Sequence, residues 1–434
     1  MTDLVITSAS ILGGAEADVL IERGVITGVG VGLGDAVKGA EVIDGAGCIL
    51  LPGFVDLHCH LREPGREDAE TVESGTRAAA LGGFTAVHAM ANTTPVADNA
   101  SVVEQVWELG RAAGWCDVAP IGAVSVGLAG ETMAELGAMA DSRARVRVFS
   151  DDGKCVHDAL LMRRALEYVK AFDGVIAQHA QEPRLTVDAQ MHEGAVSSRL
   201  GLAGWPSVAE ESIIARDCML TEYVGSRLHI CHVSTAGSVE VIRAAKAKGI
   251  NVTAEVCPHH LLLTDEMVDG YDPIFKVNPP LRTAADVQAL RSGLADGTID
   301  AVATDHAPHA SEDKVCEWGC ASPGMLGLET ALGVVALTMV ETGLLSWEGV
   351  ADRMSVAPAR IGGMIEQGHG QGIDVGVAAN LTLIDPKASW VVDRDGLVSL
   401  SKNSPYHGMT MPASVVATVL RGRVVARAGQ AVTA

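Results

Sequence analysis

Residues 52–60 read Pro-Gly-Phe-Val-Asp-Leu-His-Cys-His and combine a short apolar run with two histidines that are one residue apart. Successive side chains of a β-strand point to opposite faces, so His58 and His60 project to the same side of the strand that this run predicts. Two imidazoles that converge on one point form half of a metal site. The segment therefore predicts a buried strand with candidate metal ligands at its end.

Apolar runs of this kind recur from residue 53 to about residue 365 and alternate with segments of helical periodicity, such as 159–170 and 238–247. Such alternation is typical of parallel βα units. The eight predicted strands cover residues 53–57, 85–90, 118–125, 145–150, 175–179, 228–232, 252–256 and 299–304. Eight units predict an α/β fold whose central domain, residues 53–365, is a (β/α)₈ TIM-type barrel.

The two ends of the chain have a different pattern, with short strands separated by turns. Predicted strands at the start are 18–22, 25–31 and 41–45, and those near the end are 380–385 and 415–425. Because the two ends are alike in type, we expect residues 1–52 and 366–434 to pair as one small β domain.

Composition and charge exclude several classes of protein. The chain has 434 residues, of which 48% are hydrophobic and 20% charged, as in a globular protein with a large core. Its net charge of −22 would repel nucleic acid and anionic membranes. The nine cysteines are scattered, and the start, Met1-Thr2-Asp3, lacks signal-peptide features. Both observations predict that the protein is located in the reducing cytoplasm.

Further polar residues follow the predicted strands, where a barrel places its active site. They are Asp151 and Asp152, His179, His232 and Asp305. Each of them alone is explained by a turn, but their joint occurrence is better explained by a shared site. Strand parity favours Asp152 over Asp151, and it favours His232 over His229, which we expect to pack.

Four histidines and two carboxylates exceed the needs of one tetrahedral metal. Two metal ions that share a carboxylate and a hydroxide are the economical arrangement, with the hydroxide as nucleophile. Imidazole and carboxylate ligands suit zinc best, while manganese and cobalt stay open. His259 and His260, at the end of the seventh predicted strand, are left without a role.

Seven motifs give the chain a resemblance to a known family. They are His58-Cys-His60-Leu-Arg62-Glu-Pro-Gly, Phe149-Ser-Asp-Asp152-Gly, His229-Ile-Cys-His232-Val-Ser-Thr, Ala254-Glu-Val-Cys-Pro-His-His260-Leu, Lys276-Val-Asn278-Pro-Pro-Leu-Arg282, Ala303-Thr-Asp305-His-Ala-Pro-His309 and Gly327-Leu-Glu-Thr330. In order and spacing the chain resembles, over nearly its whole length, the bacterial class I dihydroorotases of the amidohydrolase superfamily.

The resemblance implies a zinc-dependent, reversible cyclisation of N-carbamoyl-L-aspartate to (S)-dihydroorotate in pyrimidine biosynthesis. It implies that His58, His60 and Asp152 hold one Zn²⁺, and that Asp152, His179 and His232 hold a second. Asp305 would approach the first ion and serve as general acid and base. A homodimer, or a complex with aspartate transcarbamoylase, is also implied.

The resemblance also implies the substrate-binding residues. Arg62, Asn92 and His309 would bind the substrate carboxylate, Asn278 the pyrimidine ring, and the backbone at Pro323 and Gly324 would lie beside the ligand. Three departures from the family pattern occur nearby: Ala91 stands for the usual proline, Ala180-Gln181-Glu182 for Cys-Glu-Asp, and Pro323 for an aromatic residue.

Two other functions are compatible with parts of this pattern. Hydantoinases and allantoinases usually bridge their metals with a carboxylated lysine, whereas the fourth predicted strand ends in Ser150-Asp151-Asp152 and the nearest lysine is Lys154. A catalytically silent scaffold subunit would be expected to lack metal ligands or the acid/base carboxylate, and every one of these is present. The sequence therefore favours an active dihydroorotase.

Overall fold

The structure is a computed structural model that describes residues 3–34 and 39–432. Met1 and Thr2, on which the prediction for the start of the chain partly rests, lie outside these ranges. The strands are β1 (Leu4–Ile11), β2 (Glu16–Glu22), β3 (Val25–Gly30), β4 (Glu41–Asp44), β5 (Ile49–Pro52), β6 (Phe54–Cys59), β7 (Phe84–Ala89), β8 (Asp117–Pro120), β9 (Val148–Phe149), β10 (Val175–Gln178), β11 (Met191–His192), β12 (Gly204–Trp205), β13 (Leu228–Ile230), β14 (Val252–Val256), β15 (Ala301–Val302), β16 (Leu381–Val391), β17 (Thr410–Leu420), β18 (Arg423–Arg427) and β19 (Gln430–Ala431).

Both ends of the chain contribute to one nine-stranded sheet. Its order is β19-β18-β17-β16-β5-β1-β2-β3, and β4 pairs with β1. Antiparallel pairing of β5 with β16, which sets Leu51 opposite Thr382, joins the N-terminal strands to the C-terminal ones. The inner face of the sheet buries aliphatic side chains such as Leu4, Ile6, Leu381 and Val419. Strands from both ends of the chain therefore share this sheet, and β1 and β5 are strands that the sequence pattern missed.

Ten parallel strands lie between these ends, of which β11 and β12 pair only with each other; the remaining eight belong to larger sheets. They form a three-stranded sheet, β6-β7-β8, and a five-stranded sheet, β15-β14-β13-β10-β9. Single bridges pair Gly122 with Phe149 and Cys59 with His306, at the two junctions between the sheets. Each of the eight predicted strand regions overlaps one of these strands.

Three of the predicted strands are much shorter than expected. The region 299–304 keeps only β15, and the backbone N–H of Thr304 donates to Asp56. The region 118–125 keeps only β8, since the backbone N–H groups of Val124 and Ser125 donate to the carboxylate of Asp151 instead of to a neighbouring strand. The region 145–150 keeps only β9, because Arg145 has a left-handed backbone with φ of 49°. Local side-chain hydrogen bonds and backbone turns therefore replace the ladder at these points.

Helices follow most of the parallel strands. They are α1 (Val72–Leu81), α2 (Ala100–Ala113), α3 (Leu136–Asp141), α4 (Ala159–Val169), α5 (Ala195–Leu200), α6 (Val208–Val224), α7 (Ala236–Ala247), α8 (Pro258–Leu262), α9 (Ala284–Asp296), α10 (Ser311–Lys314), α11 (Ala331–Val335), α12 (Trp347–Ala351) and α13 (Ala357–Ile361). The predicted helices 159–170 and 238–247 correspond to α4 and α7. Thr235 caps the start of α7, and its hydroxyl accepts from the backbone N–H of Ser238. No helix within the described ranges is both long and apolar enough to span a bilayer.

Gly82, which ends α1, marks a close approach that the fold requires. A Cβ atom at this position would overlap the carbonyl oxygen of Leu328, a backbone atom in the segment that leads to α11. The contact presses α1 and the turn before β7 directly against that segment, and only a residue without a side chain permits it.

We predict that Gly82→Ala lowers the free energy of unfolding by about 2 kcal/mol, because the backbone must shift to relieve the overlap. Urea denaturation measures the loss. Gly30→Ala is the matched control, since a Cβ at Gly30 meets no atom within 4 Å. Equal midpoints for the two variants would contradict this account of the packing.

Candidate functional site

The predicted ligands come from the carboxyl ends of the parallel strands. His58 lies in β6, whereas His60, Asp152, His179, His232 and Asp305 follow β6, β9, β10, β13 and β15. All six side chains are buried. His232 and Asp305 have left-handed backbones, with φ of 33° and 45°. Such strained conformations persist where the surrounding structure fixes them, and they bring these side chains into the cluster.

Asp152 lies at the centre of the cluster. Its carboxylate is 3.4 Å from His58 Nε2 and 3.4 Å from His60 Nε2. The same carboxylate is 3.3 Å from His179 Nδ1 and 3.3 Å from His232 Nε2. Two groups of ligand atoms therefore share Asp152, and within each group all atoms lie within 4.8 Å of one another.

Asp305 joins the first of these groups. Its Oδ1 is 3.1 Å from His60 Nε2 and 3.5 Å from His58 Nε2. Burial raises the pKa of Asp305, but the neighbouring imidazoles outweigh burial and hold this pKa below its usual value. The carboxyl group is therefore ionised at neutral pH.

Glu255, a buried residue of β14, orients His58. Its carboxylate oxygens lie 2.8 Å from His58 Nδ1 and 3.0 Å from His229 Nε2, so each imidazole donates to it. Although burial raises the pKa of Glu255, hydrogen bonds from His229 and His58 lower it to about 2. With Nδ1 protonated, His58 turns the lone pair of Nε2 toward Asp152. His229, which we expected only to pack, is part of this network.

Two amide side chains orient further histidines. Asn92 Oδ1 is 2.9 Å from His60 Nδ1, and Gln181 Oε1 is 2.7 Å from His179 Nε2. Because an amide oxygen only accepts, these ring nitrogens carry the protons and the opposite nitrogens face Asp152. Asn92, expected only on the substrate, thus also holds a predicted ligand.

These groups fit a bound metal ion. His58 Nε2 is buried without a hydrogen-bond partner, and His179 Nδ1 lies 2.8 Å from His232 Nε2. A cation between such lone pairs and carboxylates would satisfy all of them at once. Imidazole nitrogen and carboxylate oxygen are ordinary ligands of zinc. The donor set can therefore hold divalent metal at two adjacent positions.

Two other buried carboxylates serve the backbone. Asp151 accepts from Val124 N at 2.8 Å and from Ser125 N at 3.0 Å. Asp56 accepts from Thr304 N at 2.9 Å and from His58 N at 3.2 Å, and so ties β6 to the end of β15. Asp151 is thereby occupied away from the cluster, whereas Asp152 faces it.

A cavity of about 210 Å³ opens over the cluster. Ten of the twelve predicted site residues line it, and the exceptions are His58 and His232, which lie deeper. The ten are His60, Arg62, Asn92, Asp152, His179, Asn278, Asp305, His309, Pro323 and Gly324. The fold therefore brings the predicted metal ligands and the predicted substrate-binding residues to one space.

Arg62 supplies positive charge on one side of this cavity. Its Nε donates to the carbonyl of Pro308 at 2.9 Å. Burial lowers the pKa of Arg62 to about 10, which leaves the guanidinium protonated at neutral pH. Burial and the charge of Arg62 lower the pKa of His309 to about 3, so His309 is neutral. His309 Nε2 donates to the carbonyl of Pro323 at 2.9 Å.

Asn278 lies across the cavity from these groups. Its Nδ2 donates to Gln181 Oε1 at 3.4 Å, and its Oδ1 is buried without a partner. An unpaired buried acceptor is costly unless a ligand donates to it. Pro323 and Gly324 present backbone to the same space. These positions suit recognition of a small ring that bears N–H groups.

Two additional buried clusters lie close by: His58 with Cys231 and Glu255, and Cys257 with His259 and His260. In the first, Glu255 already accepts from two imidazoles. In the second, His260 Nε2 donates to the carbonyl of Pro279 at 3.1 Å. The sequence analysis missed Glu255, although a charged residue inside an apolar strand is a signal that could have found it.

Comparison with known proteins gives a consistent result. The Dihydro-orotase-like family profile matches residues 47–238. The chain is 65% identical over 423 residues to the dihydroorotase of Streptomyces coelicolor, covering 98% of each chain. It is 57% identical over 417 residues to the dihydroorotase of Mycobacterium tuberculosis, covering 96% of each.

Solved structures of similar shape carry different names. The L-hydantoinase (dihydropyrimidinase) of Arthrobacter aurescens aligns with a TM-score of 0.87 and 26% identity, covering 100% of this chain and 98% of the other. The dihydropyrimidinase of Brevibacillus agri aligns with a TM-score of 0.85 and 24% identity, covering 99% and 96%. The latter likeness concerns the fold alone.

We predict that Glu255→Gln weakens Zn²⁺ binding about 10–100-fold, because a neutral amide cannot accept equally well from both His58 and His229. Competition with a chelator measures the affinity. Asp18→Asn is the matched control, since Asp18 is a buried carboxylate of the nine-stranded sheet that accepts from Ser8 N and Leu33 N. Unchanged zinc affinity in Glu255→Gln would contradict the orienting role.

Proposed function

Because this chain belongs to the dihydroorotase family, we propose that it catalyses the reversible cyclisation of N-carbamoyl-L-aspartate to (S)-dihydroorotate and water in pyrimidine biosynthesis. The observation that carries the proposal is the joint presence of a half-buried, protonated Arg62 and the histidine–aspartate cluster in one cavity. Hydrolysis of a cyclic amide needs the cluster, and a substrate carboxylate explains the arginine in a strongly acidic protein.

We also propose that the eight parallel strands form a (β/α)₈ TIM-type barrel over residues 53–365, with residues 1–52 and 366–434 as the small β domain. The bridges Gly122–Phe149 and Cys59–His306 support a closed ring of strands. In such a barrel the active site lies at the carboxyl ends of the strands, where the cluster is found.

We assign two Zn²⁺ ions to the cluster. His58, His60 and Asp152 would hold the first, approached by Asp305, and Asp152, His179 and His232 would hold the second. When bound, the ions would supply Lewis acidity toward the amide carbonyl and lower the pKa of coordinated water. Asn92, Gln181 and Glu255 keep the ligand nitrogens unprotonated on the side that faces the ions.

Asp305 moves the proton. Its carboxylate is ionised and reaches the cavity, so it can take a proton from the attacking water and deliver it to the ring nitrogen that leaves. In the biosynthetic direction the same group takes the proton from the carbamoyl nitrogen and returns it to the departing oxygen. Asp305 is thus the general base and acid of the reaction.

The remaining residues position the substrate. Arg62 offers a planar fork to the carboxylate, Asn92 donates to it through Nδ2, and His309 lies against it. Asn278 and the backbone at Pro323 and Gly324 contact the ring. These contacts hold the amide carbon over the cluster and convert the attack into a reaction between fixed partners.

The proposal also covers the cellular location of the protein and its assembly with partners. All nine cysteines are free, which supports the cytoplasm as the compartment. A homodimer or a complex with aspartate transcarbamoylase stays a prediction from the resemblance.

We predict that metal-free protein does not open dihydroorotate and that added Zn²⁺ restores activity. Asp305→Asn should lower kcat by about 10²–10⁴, because the amide cannot relay a proton. The ring-opening rate, followed by absorbance, measures both effects. Elemental analysis measures the metal content of each sample. Full activity after metal removal would contradict the mechanism, and equal rates for wild type and Asp305→Asn would favour the silent scaffold.

Variants of Arg62 and Lys154 distinguish a dihydroorotase from a hydantoinase-type enzyme. Arg62→Gln should raise KM for dihydroorotate about 100-fold, because a charge-assisted bidentate pair is lost. Lys154→Gln should leave the rate unchanged, because Lys154 is exposed on the turn after Asp152. Loss of activity in Lys154→Gln, with Arg62→Gln unaffected on neutral rings, would support a carboxylated-lysine enzyme.

A further inference from the structure

Asn403 connects a segment of the C-terminal region to the cavity. It lies between β16 and β17, far along the chain from the predicted ligands, and only 3% of it is exposed. Its Nδ2 donates to the carbonyl of Ala307 at 2.9 Å and to that of Gly324 at 3.1 Å. Its Oδ1 accepts from the backbone N–H of His309 at 3.2 Å.

These three bonds use both donors of the amide. A carbonyl only accepts and a backbone N–H only donates, so a single orientation of the side chain satisfies all three partners. A carboxylate of the same shape could still accept from His309, but it would place negative charge against the carbonyls of Ala307 and Gly324. The site is therefore specific for an amide.

The three partners lie on the two arms of one loop, residues 307–324, whose only regular element is α10. One arm contains Ala307, Pro308 and His309, and the carbonyl of Pro308 accepts from Arg62 Nε. The arm at Gly324 also bonds to Lys276 through its own N–H, at 2.9 Å. Asn403 therefore joins the backbone that supports Arg62 to the other arm of the loop.

Gly324 shows how closely the arms meet. A Cβ atom on it would lie 2.6 Å from His309 Nε2, and its φ of 153° belongs to the region that favours glycine. Small movements of one arm would therefore change the positions of His309 and Pro308 together.

We propose that Asn403 is a positioning residue that fixes Pro308, and through it the guanidinium of Arg62, for an anionic substrate. The inference rests on the proposed function and extends it to a residue that does not line the cavity. Since the substrate carboxylate is bound in the ground state and the transition state alike, loss of this positioning acts mainly on KM.

The test compares Asn403→Asp with Asn380→Asp in the zinc-loaded protein. Asn380 is the matched control because it is also a buried amide that holds two backbone groups, Gly368 O and Arg421 N, within the β-sheet region. We expect Asn403→Asp to raise KM for dihydroorotate about tenfold, with kcat, metal content and Tm close to those of Asn380→Asp. If Asn403→Asp does not fold, Asn403→Ser, which can donate one bond, should give a smaller rise in KM.

A double-mutant cycle with Arg62→Gln identifies the route of the effect. In the Arg62→Gln background, Asn403→Asp should change KM less than twofold, because the group that it positions is gone. A tenfold effect that persists there, a loss of metal, or an unchanged KM in active protein overturns the inference. Zinc-loaded wild type that fails to open dihydroorotate would instead contradict the proposed function.

Discussion

The histidine–aspartate cluster depends on how the negative charge of its buried carboxylates is neutralised. Asp152, Asp305 and Glu255 lie together with almost no exposure, and unpaired carboxylates in such a place are strongly unfavourable. Four imidazoles surround Asp152 and Asp305, and a fifth, His229, helps to pair Glu255. The cluster can satisfy all of these groups only if cations or protons are shared among them, so the proposed affinity for metal follows from burial as much as from ligand identity.

Sequence alone gave a good account of the groups that follow strands. Alternation of side chains put His58 and His60 on one face, and strand ends located Asp152, His179, His232 and Asp305. It could not specify the groups that support them. Glu255 is read as one polar residue in a strand, and its hydrogen bonds to His58 and His229 depend on pairing with a neighbouring strand. The predicted strand lengths were wrong near Asp151, because its carboxylate accepts from backbone N–H groups that would otherwise bond to a neighbouring strand.

The side of the cavity that Arg62 and His309 line shows a second limit of sequence reasoning. The loop that carries His309 and Gly324 has little regular structure, so no periodicity describes it. Its shape is set by contacts with Arg62, Lys276 and Asn403, and the residues that these contacts join are between 48 and 246 positions apart in the chain. Such contacts become visible only when the whole chain is folded, since each depends on several elements that are placed independently.

The pairing of β5 with β16 has a consequence for how the chain emerges from the ribosome. About 330 residues separate these two strands. At about 5–20 residues per second, the edge of β5 stays without its neighbour for roughly 15–65 s during translation. An uncovered apolar strand edge promotes association between nascent chains. The central parallel strands are therefore synthesised before β5 has its partner, and the nine-stranded sheet is completed only after the C-terminal strands have been translated.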